Sequence, residues 1–133
     1  MNAMTALIGF TAWTLALVMF IVLWRGIEIL RGKPANSWGR DTAIPVPGLV
    51  RRAEHAHLNA LENLPIFAVI VLAAAALGKT AAVEATACWV LYTRIAQSLI
   101  HLIGVSPLLV LGRATFYFVQ LGLFIYMLWS LLA

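Results

Sequence analysis

Cysteine is nearly absent: Cys88 is the single one among 133 residues, which excludes an intrachain disulfide and any cysteine-built metal cluster. Acidic residues number only five, and charged residues of both signs make up 11% of the chain. Soluble domains carry about a quarter. No His-Glu-x-x-His pattern occurs, and no serine or cysteine has a matched base nearby in sequence, so neither a metal site nor a nucleophilic triad is supported. What the chain has in abundance is apolar, at 63% of its residues and a mean hydropathy of +0.96. A soluble core of this size leaves much of its surface exposed, so the solvent implied is lipid. The length allows one domain.

Glycine and proline punctuate the apolar runs at three places. The stretch from Gly32 to Gly48 holds Pro34, Gly39, Pro45 and Pro47; Gly78 and Lys79 form a short turn; Gly104 to Pro107 make the third break. Helices are therefore expected at about 5–31, 49–77, 82–103 and 108–132. In the first, Ala6 to Trp24 gives 19 residues without a charge, about 28 Å of helix. The leading MNAMTA has no Lys or Arg, and no small-x-small cleavage site follows, so this segment reads as a retained helix and not a signal peptide. Nothing points to a strand. The expected fold is all-α, an integral membrane four-helix bundle in a single domain.

The net charge of +4 invites a nucleic-acid reading, but its distribution excludes one. Six of the nine basic residues (Arg25, Arg31, Lys33, Arg40, Arg51 and Arg52) fall between the first two apolar segments. That is the signature of a cytoplasmic loop. Lys79 is the only Lys or Arg in the opposite loops. Both termini are thus expected on the non-cytoplasmic side of a multi-pass protein, in the inner (plasma) membrane if the source is bacterial.

Polar residues inside the spans are costly and normally face protein or water. Here they recur at helical spacing. Arg51, His55, Asn59 and Glu62 share one face of the second segment; Arg94, Gln97 and His101 share one face of the third; Arg113 and Tyr117 are four apart on the fourth; Arg25, Glu28 and Arg31 close the first. All sit toward the cytoplasmic halves, where they could converge on one pocket. Competing explanations are snorkelling to headgroups for Arg51, Arg52 and Arg113, and mutual pairing for Glu62 and Arg94. His57 reads as a satisfied interior histidine, and the five tryptophans as interfacial anchors. His55 and His57, two apart, fall on different helix faces. A one-mouthed, arginine-rich pocket with a carboxylate and an amide suits a small zwitterionic anion, since arginine clamps carboxylates and Glu62 with Asn59 could take an ammonium. Glutathione has that layout, and a cation beside its thiol favours the thiolate.

The run His55-Ala-His-Leu-Asn-Ala-Leu-Glu-Asn-Leu-Pro-Ile-Phe67 resembles the MAPEG superfamily, the membrane-associated proteins of eicosanoid and glutathione metabolism. Its pattern A-H-x-N-x-x-E-x-x-P-x-F stands as Ala56, His57, Asn59, Glu62, Pro65 and Phe67, and the likeness extends over essentially the whole chain. The resemblance implies a homotrimer of four-helix subunits with glutathione bound between neighbours near the cytoplasmic surface. It assigns Arg51 or Arg52, Asn59, Glu62 and Arg94 to holding glutathione, with Arg31 or Arg25 as a contact from the first segment. Arg113 would stabilise the thiolate, with Tyr117 as its hydrogen-bonding neighbour. The sequence departs from the family where an arginine commonly precedes A-H, here His55. It departs again where a histidine and a tyrosine often follow the third-segment arginine, here Gln97 and His101. Ala114 stands where prostaglandin-E synthase has a serine.

Two functions follow as expectations. One is an enzyme that conjugates glutathione to a lipophilic substrate or reduces a peroxide, the substrate arriving through the lipid bilayer. The other is a non-catalytic protein on the same scaffold that holds lipid or a partner membrane subunit. A channel ranks below both, because the outer half of the bundle has almost no polar residues.

Overall fold

In hydrocarbon, every backbone N–H and C=O must be bonded within its own segment, and the four apolar runs meet that demand as helices. The computed structural model describes residues 1–39 and 45–133. It contains α1 (Ala3–Leu30), a 3₁₀ turn (Ala35–Trp38), α2 (Gly48–Ala76), α3 (Ala81–Ile103) and α4 (Pro107–Leu132), with no strand among the described residues. Arg40, counted above with the basic loop residues, lies outside the described residues.

The helix ends follow from local chemistry. Asn2 caps α1, its Oδ1 accepting from Thr5 N at 2.8 Å. Gly32 and Gly78 end α1 and α2 in the left-handed region, φ 99° and 66°. In each case the residue after the glycine bonds back across the last turn, Lys33 N to Glu28 O and Lys79 N to Ala74 O. Ser106 and Pro107 open α4 as cap and first helical residue.

Successive helices pack antiparallel, and α2 and α3 each touch all three others. Small residues line the contacts: Ala53, Ala56, Ala60, Ala74 and Ala87 are buried. A Cβ at Gly9 would fall 2.9 Å from Leu91 Cδ2, so α1 and α3 approach closely there. At mid-bundle Phe67 stands between Phe10 and Phe124, with ring centroids 5.7 and 6.1 Å away. The outward faces are apolar, with Ile8, Leu15, Leu111, Phe118 and Ile125 all exposed. Such an inside-out distribution suits lipid as solvent.

Three helices, α1, α2 and α4, are long and apolar enough to cross a membrane. The sequence reading expected four. α3 differs because Glu84, Thr93, Arg94, Gln97, Ser98 and His101 dilute it, and several of these are buried against its neighbours.

Phe67→Ala is expected to lower the thermal unfolding midpoint in detergent, on the scale of about 3–5 kcal/mol for an aromatic truncated in a packed interior. Phe118→Ala, at a position 69% exposed, should leave that midpoint nearly unchanged.

Candidate functional site

Arg94, near the middle of α3, is 1% exposed. Its Nη1 donates to Asn59 Oδ1 of α2 and its Nη2 to Gln120 Oε1 of α4. The guanidinium also lies 5.4 Å from the centroid of Phe10 on α1. One side chain therefore touches all three other helices. Glu62 does not pair with it: Glu62 is on the exposed face of α2, and its charge acts on Arg94 only from a distance.

The Arg94–Gln120 contact fixes how α3 and α4 face each other. Counting outward in steps of three and four places Val90 opposite Phe124 and Ala87 opposite Met127, all buried. In the other direction Gln97 comes opposite Tyr117, and His101 opposite Arg113. Arg113 is indeed among the charges that act on His101, together with His55 and Arg52 of α2. The rings of His55 and His101 are 6.0 Å apart, edge to face. Arg52 is anchored there by its Nε, which donates to Leu102 O at the end of α3 over 2.8 Å.

Four basic side chains from three helices thus gather at the loop-bearing end, and among the described residues no carboxylate pairs with any of them. Between this cluster and Arg94, Gln97 and Ser98 are 4% and 2% exposed. Gln97 Oε1, Ser98 Oγ and Arg94 Nε have no hydrogen-bond partner among the described residues. Each such buried group costs about 1–3 kcal/mol unless something satisfies it.

The remaining sequence candidates lie elsewhere. Arg31 is bonded to Glu28 at 3.0 Å, with its side chain 72% exposed, and Lys33 pairs with the same carboxylate. Arg25 pairs with Glu54 at 2.9 Å. Arg51 is exposed and lines a groove of about 620 Å³ between α1, the 3₁₀ turn and α2, shared with Val18, Arg25, Trp38, Glu54 and Leu58. His55 and His57 both line this groove despite their spacing, and His57 Nδ1 lies 3.2 Å from Thr14 O. So α2 divides the expected single cluster. Asn59 and Arg52 turn toward α3, Arg51 and His57 toward the groove, and His55 stands at the border.

Sequence reasoning missed Gln120 and Asn63. Both are buried, and Asn63 Nδ2 donates to Asn59 O at 2.9 Å, behind the residue that holds Arg94. A signal for Gln120 existed: it continues the face of Arg113 and Tyr117 by three residues, as the lone amide in an apolar run.

The MAPEG family model matches residues 3–133. No curated protein and no solved structure matches the chain.

Arg94→Met removes the donor while keeping bulk, and strands Asn59 Oδ1 and Gln120 Oε1. A loss of about 2–5 kcal/mol is expected from one buried and one half-buried acceptor left unpaired. Thermal unfolding followed by circular dichroism in detergent measures it, and Arg31→Ala serves as the silent control.

Proposed function

The chain belongs to the MAPEG family, and from that premise we propose that it is a homotrimeric membrane enzyme. It holds glutathione at its charged end and turns its thiolate on lipophilic electrophiles or peroxides. The family's general role, membrane chemistry linked to glutathione or eicosanoids, is the common ground. The observation that carries the finer reading is the gathering of His55, His101, Arg52 and Arg113 with no carboxylate among them in the described residues.

The donor set fits a peptide-sized zwitterion. Unpaired guanidinium groups favour carboxylate or thiolate oxygen and sulfur. Gln97 Oε1 offers a buried acceptor, and Glu62 a carboxylate for an ammonium. Glutathione, when bound, supplies the thiol nucleophile. A free thiol has a pKa of about 8.5, and each unit of lowering corresponds to about 1.4 kcal/mol. Arg113 holds the thiolate charge and Tyr117 donates a hydrogen bond beside it. Arg52 keeps the surrounding potential positive, and the His55 and His101 rings stand beside it. Arg94 acts from behind, by fixing Asn59. The exposed Leu111 and Phe118 flank Arg113 and Tyr117 in sequence and give a lipophilic substrate an apolar approach from the bilayer. Proximity and thiol deprotonation are then the main contributions asked of the protein.

Glu62 supports the oligomer. It is exposed well inside a 29-residue helix, and a charge facing hydrocarbon costs about 2.5–3.5 kcal/mol on insertion scales. A neighbouring copy over this face removes that cost. The groove on the other side of α2, with Arg25, Arg51 and His57, is then the surface the neighbour presents. Orientation follows the charge: Arg25, Arg31, Lys33, Arg51, Arg52 and Arg113 share one end, facing the cytoplasm, and Lys79 lies at the other.

Titrating purified trimer with glutathione and reading thiolate ultraviolet absorbance against pH tests the proposal. The bound thiol should ionise below its free value, so thiolate is present at neutral pH and is lost as pH falls through the lowered pKa. Arg113→Ala should raise that pKa by roughly one unit, about 1.4 kcal/mol. No thiolate signal from the wild type, with phospholipid retained tightly in its place, would overturn the enzyme in favour of a lipid-binding or subunit-binding role.

A further inference from the structure

Gln120 has no part in ligand binding as described above, yet it is 0% exposed. Its carboxamide oxygen accepts from Arg94 Nη2, and its Nε2 donates to Val90 O at 3.4 Å. These are the only side-chain hydrogen bonds between α3 and α4 among the described residues. Gln97, one turn closer to the charged end, makes no such bond through its Oε1.

On the side away from the charged end the α3–α4 contact is apolar: Val83, Ala87 and Val90 against Phe124, Met127 and Leu131. In lipid such contacts select a register weakly, because the competing hydrocarbon is equally apolar. A bond to a guanidinium is directional and strong. A slip of one residue would rotate α4 by about 100° and carry Arg113 away from His101.

We propose that Gln120 is the positioning residue of the site: its carboxamide, held between Arg94 and the Val90 carbonyl, fixes the register of α4 and so aims Arg113 and Tyr117 at His101 and Gln97. What the aimed groups bind rests on the glutathione reading; the register itself does not.

Two readouts separate the claims. The first is the pKa and half-saturation of bound glutathione in Gln120→Leu, which keeps bulk without hydrogen bonds, and in Gln120→Glu, which keeps an acceptor for Arg94. The second needs no ligand. In a Cys88→Ala background, Ile100→Cys and Gly112→Cys report register by oxidative cross-linking, since a Cβ at Gly112 would lie 3.7 Å from Ile100 Cδ1.

Gln120→Leu should raise half-saturation about tenfold, the scale of one lost bond to a charged group, raise the bound thiol pKa, and lower the cross-link yield. Gln120→Glu, which keeps the bond to Arg94, should keep the cross-link yield near wild type. A Leu variant that merely melts earlier, with thiol pKa and cross-linking unchanged, overturns the proposal. If the wild type binds no glutathione, the enzyme reading fails and the cross-link alone decides: unchanged yield in Gln120→Leu rejects the register role, reduced yield sustains it. Should the Leu variant not assemble, Gln120→Asn, one methylene short of Arg94, is read by the same criteria.

Discussion

A guanidinium has five N–H donors and no acceptor, so inside a bundle it forces other helices to bring acceptors to it. At Arg94 those acceptors are neutral amides, Asn59 from α2 and Gln120 from α4, with the Phe10 ring of α1 beneath. The positions of the helices at this level are therefore interdependent. Neutral partners also have an electrostatic consequence: the Arg94 charge is oriented without being cancelled. A carboxylate in either place would have stabilised the cation more simply and removed the positive field from the interior.

The scarcity of acid noted in the sequence acquires a structural meaning from this. Glu28 is taken by Arg31 and Lys33, and Glu54 by Arg25, all at the loop-bearing end and on the α1 side of α2. Glu84 sits in the first turn of α3, at the far end of the bundle. Glu62 faces outward. Among the described residues, what is left between α2, α3 and α4 is basic side chains without acidic partners. Opposite charges are segregated by helix face, while the outer ion pairs tie the α1–α2 connection.

Helical spacing made much of this legible. The all-helical fold and the membrane character follow from apolar runs and their punctuation. The facing sets Arg94, Gln97, His101 and Arg113, Tyr117 follow from steps of three and four. Periodicity says which residues share a face, however, and not which neighbour that face meets. Hence Arg51 and Asn59, on one stripe in sequence, belong to different surroundings, because a stripe about 100° wide can border two helices. Arg31 entered the cluster through spacing and through the family resemblance, and in the structure it pairs with Glu28 three residues back. Gln120 was hidden for the opposite reason: a single amide in an apolar run looks incidental until its partner is known to be an arginine on another helix.

The polar zone has one mouth, and that limits what the bundle can do. It runs along α3 from His101 to Arg94, seven residues or about 10 Å of helix rise, and stops at the Phe10, Phe67 and Phe124 rings. Beyond them the α3–α4 contact offers only Val83, Ala87, Val90, Met127 and Leu131, with nothing to replace the hydration of an ion. A path across the membrane through this interior would have to cross that dry half, where an unpaired polar group costs several kcal/mol. A polar ligand must therefore enter and leave by the same end. Any apolar reactant must reach it sideways, past the lipid-facing residues of α4. On the proposed reading, a water-soluble and a lipid-soluble reactant would meet at Arg113, with the aromatic floor closing off the far side.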